Sequence, residues 1–110
     1  MQHDIAITAI TVEELLRGRL AQIRRAKQMA ARVSAFYWLE ATLEHLCQFT
    51  VLGCTEEAEA WVRLWRSQKI RIGSQDLRIA SICLANNAML ITRNKKDFCQ
   101  IPKLIIESWV

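Results

Sequence analysis

Four short, uninterrupted apolar runs do most to limit what this chain can fold into: "DIAITAI" (4–10), "FTVLGC" (49–54), "AMLIT" (88–92) and "KLIIES" (103–108). A strand with one wet face alternates apolar and polar residues, whereas a strand covered on both faces reads as a continuous apolar run. Between the runs the period changes to that of a helix. Val12, Leu16, Leu20 and Ile23 form one stripe, and Phe36, Leu39, Leu43, Leu46 and Cys47 a second. Ala58, Trp61, Val62 and Trp65 form a third, and Ile79, Ile82 and Cys83 a fourth. Thr11, Ser34, Thr55 and Ser74 are placed to start these helices. Glu13 and Glu14, then Glu56 and Glu57, then Asp76 fall in first turns, where the helix dipole favours negative charge. Strands alternating with helices predict an α/β chain whose mainly parallel sheet is covered on both faces.

The 110 residues fit a single domain, 1–110. With 52 % apolar residues a core can form, and one Pro and three Gly leave no flexible linker. Cys47, Cys54, Cys83 and Cys99 show no CxxC pair or zinc spacing, so they read as reduced, mostly buried thiols of a cytoplasmic protein. "IAITAI" is too short for a signal peptide, and no run reaches the ~18 residues of a membrane span. His3 and His45 stand alone and receive no role. The net charge of +4 suits a polyanionic partner without requiring one.

The run at 88–92 breaks into Thr92, Arg93, Asn94, Lys95, Lys96 and Asp97, a cluster of oxygen ligands and cations. In an open parallel sheet, ligands bind beyond the carboxyl ends of the strands. That rule brings Glu13 or Glu14, Asp76, Asn94 and Asp97 toward one edge. Gathered carboxylates repel one another unless a hard cation sits among them. Mg²⁺ or Mn²⁺ there would bridge a phosphate and acidify a water, while Arg93, Lys95 and Lys96 hold the phosphate backbone. Taken singly, each acid is an ordinary dipole partner and each basic residue an ordinary solvated one. Trp61 and Trp65, at i,i+4, suit a core or interface better than a base-stacking platform.

"ITVEELLRG", followed by "IGSQDLRIASICLANNAMLITRNKKDFCQIPKLIIESW", resembles the PIN-domain nucleases, and most closely the VapC-type toxin ribonucleases. The resemblance covers essentially the whole chain. It implies a three-layer α/β/α fold, Mg²⁺- or Mn²⁺-dependent endonucleolytic cleavage of RNA, and a small antitoxin partner. By the motifs, Glu14 matches the acid of "E-L-x-x-G" and Asp76 that of "D-L-x-I-A". Asn94 and Asp97 match "T-R-N-x-x-D-F", with Thr92 as the hydroxyl residue beside them. The resemblance therefore implies catalytic Glu14, Asp76, Asn94 and Asp97, metal ligands Glu14, Asp76 and Asp97, and RNA contacts from Thr92, Arg93, Lys95, Lys96 and Arg17.

One departure from the family pattern carries weight. Members open with a strand ending in aspartate, of the form L-D-T-N, ahead of the segment present here. Asp4 precedes its strand and is at the wrong end to substitute. The expected architecture is thus a three-layer PIN-like domain lacking the first strand. Loss of that carboxylate weakens metal binding and catalysis. Loss of that strand leaves two interior edges unpaired, which calls for a rearranged sheet or an intimate homodimer with possible strand exchange. The expected function is a VapC-like metal-dependent endoribonuclease. The alternative is a catalytically degenerate relative that binds RNA, an antitoxin or itself without cleavage.

Overall fold

The computed structural model describes residues 6–92 and 94–108. Asp4, Arg93 and Trp109 lie outside the described residues. The chain divides into two compact units, Met1–Val51 and Leu52–Val110. Its elements alternate as an α/β chain must, with β1 (Ala6–Thr8), α1 (Ala9–Arg25), α2 (Met29–Leu46), β2 (Thr50–Leu52), α3 (Glu56–Ser67), α4 (Ser74–Ala85), β3 (Leu90–Thr92), α5 (Lys95–Phe98) and β4 (Ile106–Ser108). All four expected strands are present, each shortened to three residues. They form two separate ladders, β1 with β2 and β3 with β4.

In the first unit, the helix begins earlier than the sequence suggested. Thr8 is the N-cap, and its hydroxyl accepts the Thr11 N–H at 3.2 Å. Thr11 therefore lies inside α1, and Glu13 and Glu14 fall beyond its first turn. Three residues join α1 to α2, and the helices are tied by Arg19. Its Nε donates to the Thr42 hydroxyl at 2.9 Å, and its guanidinium lies 5.4 Å from the centre of the Trp38 ring. The α2 helix starts at Met29 rather than Ser34. Its inward face is Ala35, Thr42 and Leu46, while Phe36 and Leu43 are exposed. No described residue of α1 is fully buried.

The second unit holds the larger core. Val62 and Trp65 of α3, Leu77 and Ala80 of α4, Phe98 and Ile101 pack together. Thr55 caps α3 as expected, accepting the Ala58 N–H at 3.1 Å. At α4 the cap position is Gly73, and Ser74 is the first helical residue. Both helices stop in the same way. Past α3, Lys69 adopts φ 61°, and Ile70 N–H bonds Trp65 C=O at 3.1 Å. Past α4, Asn87 adopts φ 54°, and Ala88 N–H bonds Cys83 C=O at 2.8 Å. This reversal satisfies the last carbonyls of each helix and turns the chain back. After α4 it leads into β3, which pairs in parallel with β4, Leu90 opposite Ile106 and Thr92 opposite Ser108. The parallel pairing is as expected, but cover on both faces is not, since Ile91 of β3 and Val51 of β2 are exposed. The segment read as a turn at 93–98 contains the short helix α5.

The cysteines depart from expectation. All four are free, but only Cys83 is buried, and Cys47, Cys54 and Cys99 are exposed. Trp65 is buried and Trp61 packs against the same core, the rings stacked at 5.9 Å, so this pair is core.

Candidate active site

The polar corner that follows β3 is built by local hydrogen bonds. The Thr92 hydroxyl accepts the Asn94 N–H at 3.0 Å. The Asn94 side-chain amide donates to Asp97 Oδ2 at 2.7 Å. Phe98, next to Asp97, is buried in the core and pins α5 beneath this pair. Asp97 is half-buried and its carboxylate keeps one oxygen clear of the Asn94 bond. Lys95 and Lys96 are exposed on the same short helix. Thus Thr92, Asn94 and Asp97 are brought together. Arg93 is outside the described residues.

Asp76 is half-buried in the first turn of α4. Its neighbours in sequence, Leu77 and Ala80, are locked in the core, so its backbone position is fixed. In the first unit, Glu13 and Glu14 are both exposed on α1. They differ in their engagements. Arg17 donates to Glu13 at 2.6 Å as an i,i+4 pair, and no ion pair among the described residues involves Glu14. Within either unit, no three His, Cys, Asp or Glu side chains among the described residues are grouped as a metal ion requires.

A second polar constellation was not read from the sequence. Glu59, Val62, Arg63, Arg66 and Arg78 line a cavity of about 190 Å³ on α3 and α4. Arg78 pairs with Glu59 at 3.3 Å and Arg66 donates to the Ser74 hydroxyl at 2.7 Å. The Cys54 thiol points at the same Glu59 carboxylate at 3.5 Å, and its pKa is raised, first by desolvation and then by that acceptor and its charge. The available signal was the i,i+4,i+7 spacing of Glu59, Arg63 and Arg66.

A model of the family described as PIN domain matches residues 1–104. The chain is 34 % identical over 107 residues to ribonuclease VapC2 of Rickettsia felis, covering 97 % of this chain and 75 % of that protein. The crystal structure of VapBC2 from Rickettsia felis, bound to a DNA fragment from their promoter, superposes with a TM-score of 0.73 at 29 % identity, over 97 % of this chain and 76 % of that one. VapBC-1 from nontypeable Haemophilus influenzae gives 0.72 at 27 % identity, over 99 % and 78 %.

Proposed function

The chain belongs to the PIN-domain family, in its VapC branch, and on that premise we propose that it is a metal-dependent endoribonuclease, the toxin of a type II toxin–antitoxin pair acting in the cytoplasm. Its partners in this reading are RNA, a cognate antitoxin and a second copy of itself. The antitoxin is supported by the likeness to toxin–antitoxin complexes. Among the described residues no helix is long and apolar enough to cross a membrane.

The observation that carries the reading is the corner at Thr92, Asn94 and Asp97. A carboxylate held in one orientation by an amide, on a helix pinned by a buried Phe, suits a group that must present oxygen to a ligand. The proposed ligands Glu14, Asp76 and Asp97 are hard oxygen donors, the set that Mg²⁺ and Mn²⁺ prefer. Such an ion, when bound, supplies charge neutralisation at phosphate and a more acidic water. Asn94 keeps Asp97 oriented. Lys95, Lys96, Arg93, Arg17 and the Thr92 hydroxyl hold the RNA backbone, which orders the phosphate without reading its sequence.

That no three His, Cys, Asp or Glu side chains among the described residues are grouped as a metal ion requires favours a second reading, a degenerate PIN-like protein that binds RNA, antitoxin or itself without cutting. One experiment separates the two. Calorimetric titration with Mn²⁺ and an RNA cleavage assay are run on the chain and on Asp76→Asn. The ribonuclease reading expects Mn²⁺ binding at millimolar or tighter affinity, with cleavage, both lost in Asp76→Asn. Salt-sensitive RNA binding with no metal uptake and no cleavage establishes the degenerate reading instead.

A further inference from the structure

Positive charge outnumbers negative in the cleft between α3 and α4. Glu59, Arg63 and Arg66 follow one another at i, i+4 and i+7 along α3, and Ser74 and Arg78 at i, i+4 along α4. Glu59, Val62, Arg63, Arg66 and Arg78 line the cavity of about 190 Å³. Three guanidinium groups therefore share one small space with a single carboxylate.

Two cross-links already join the helices there. Arg78 reaches Glu59 at 3.3 Å, and Arg66 donates to the Ser74 hydroxyl at 2.7 Å. Arg63 stands between these links in the α3 row, and no ion pair or hydrogen bond among the described residues engages its guanidinium. It adds charge to the cleft without helping to join the helices. Arg66 meets only a neutral hydroxyl, so its charge is likewise uncompensated among the described residues. Like charges gathered in one cavity repel one another, and an incoming anion relieves that repulsion. The lining also selects the anion. Planar guanidinium forks match phosphate oxygens bidentately. Val62 is the one apolar side chain in the lining and is itself only 3 % exposed, so an incoming protein chain finds no apolar anchor. Arg63 and Arg66 are exposed, so a ligand reaches them from solvent. Ser74 and Asp76 stand two residues apart in the first turn of α4, about 200° round the helix. The cleft and Asp76 thus lie on opposite sides of one helix end, separated by about the 10–12 Å diameter of a helix.

We infer that the α3–α4 cleft seats a phosphate of the RNA backbone, held by Arg63 and Arg66 with Arg78 beside them. The strand is then gripped a few nucleotides away from the phosphate that meets Asp76, by a charged groove that follows the backbone without reading bases. This anchor is separate from the corner at 92–97. It rests on RNA as the ligand in the proposed function and is independent of cleavage.

The test is fluorescence-anisotropy titration of the full chain with oligouridine and oligoadenosine of ~10 nucleotides over a range of salt, without divalent ions so that binding is read apart from cleavage. Arg63→Ala/Arg66→Ala is compared with Arg24→Ala/Arg25→Ala, which removes the same charge from exposed positions on α1. Circular dichroism verifies helix content in both. The cleft variant is expected to bind both RNAs about tenfold more weakly at low salt, with a salt slope lower by about one. The α1 variant changes affinity by less than about twofold. Glu59→Gln removes the cleft's one carboxylate and tightens binding by about threefold, a gain that a purely joining role for these side chains does not give. An unaltered slope in the cleft variant, or an equal loss in the α1 variant, overturns the inference while leaving RNA as the ligand, and the cleft then falls to an acidic protein segment. A parent chain that binds neither RNA at low salt overturns RNA as the ligand, and this site with it.

Discussion

Trp65→Ala tests the core on which the candidate site depends. Trp65 is 1 % exposed and packs among Val62, Leu77, Ala80, Phe98 and Ile101. A buried Trp removes about 200 Å² from water, worth about 5 kcal/mol at 25 cal/mol/Å², of which Ala retains roughly a quarter. The remaining hole is walled by two helices and by Phe98, which limits its collapse. The expected cost is therefore about 4 kcal/mol, within the range for Trp-to-Ala changes in cores. A domain of this size is stable by about 5–15 kcal/mol, so the variant sits near its unfolding threshold at physiological temperature. Trp61 is half-buried and stacks on Trp65 at 5.9 Å, so Trp61→Ala is expected to cost about half as much. Urea unfolding followed by far-ultraviolet circular dichroism gives both numbers, with the slope checked for constancy. Because the same core pins Asp76 and Asp97, Trp65→Ala also loses any RNA cleavage at a lower temperature than the parent. A cost under about 1.5 kcal/mol, or a larger cost at Trp61 than at Trp65, would refute this account of the second unit.

Two further outcomes follow from local geometry. Burial pushes the Cys83 thiol up to about 11. Its folded-state pKa lies above the unfolded value, so its contribution to stability is complete below pH ~9 and is lost as pH rises toward 11. Urea midpoints should fall across that window, and Cys83→Ala should flatten the fall. A parent and variant with the same pH profile would discount burial as the cause. Lys69 holds φ 61° at the end of α3, a conformation that glycine adopts without its side chain's penalty. Lys69→Gly should stabilise by about 0.5 kcal/mol once the unfolded-chain entropy is counted, read as a rise in thermal midpoint.

The sequence located strands, and the inward faces of α3 and α4, better than caps: of Thr11, Ser34, Thr55 and Ser74 only Thr55 caps its helix. Each apolar run does contain a strand, although Val51 of β2 and Ile91 of β3 are exposed, so cover on both faces is not what those runs record. Thr55 was legible as a cap because a hydroxyl before two glutamates fits one geometry, whereas Gly73 displaced Ser74 at the next helix by a single residue. The α2 helix was misread for a physical reason. Ala35, Leu39, Thr42 and Leu46 recur at helical spacing, and so do Met29, Val33, Phe36 and Leu43, so periodicity alone cannot choose the inward face. The larger side chains suggested Phe36 and Leu43, and the smaller ones are inside because α1 packs close. The cysteines failed in the same way, since apolar neighbours in sequence do not tell which way one thiol turns.

The engagement of Glu13 bears directly on the proposed RNA surface. Glu13 and Arg17 are spaced i,i+4 with the acid N-terminal, the favourable order on a helix, so this pairing was readable from the sequence alone. It appears at first to remove Arg17 from the set that would hold phosphate. The magnitudes argue otherwise. Both side chains are largely exposed, at 68 and 49 %, and an exposed pair of this kind is worth a few tenths of a kcal/mol. A phosphate offers the guanidinium a charge-assisted, bidentate partner. Exchange of Glu13 for phosphate at Arg17 therefore costs little. Arg17→Ala should then weaken RNA binding and lower the salt slope by about one while leaving stability nearly unchanged, and a variant with an unaltered slope would place the RNA path away from α1.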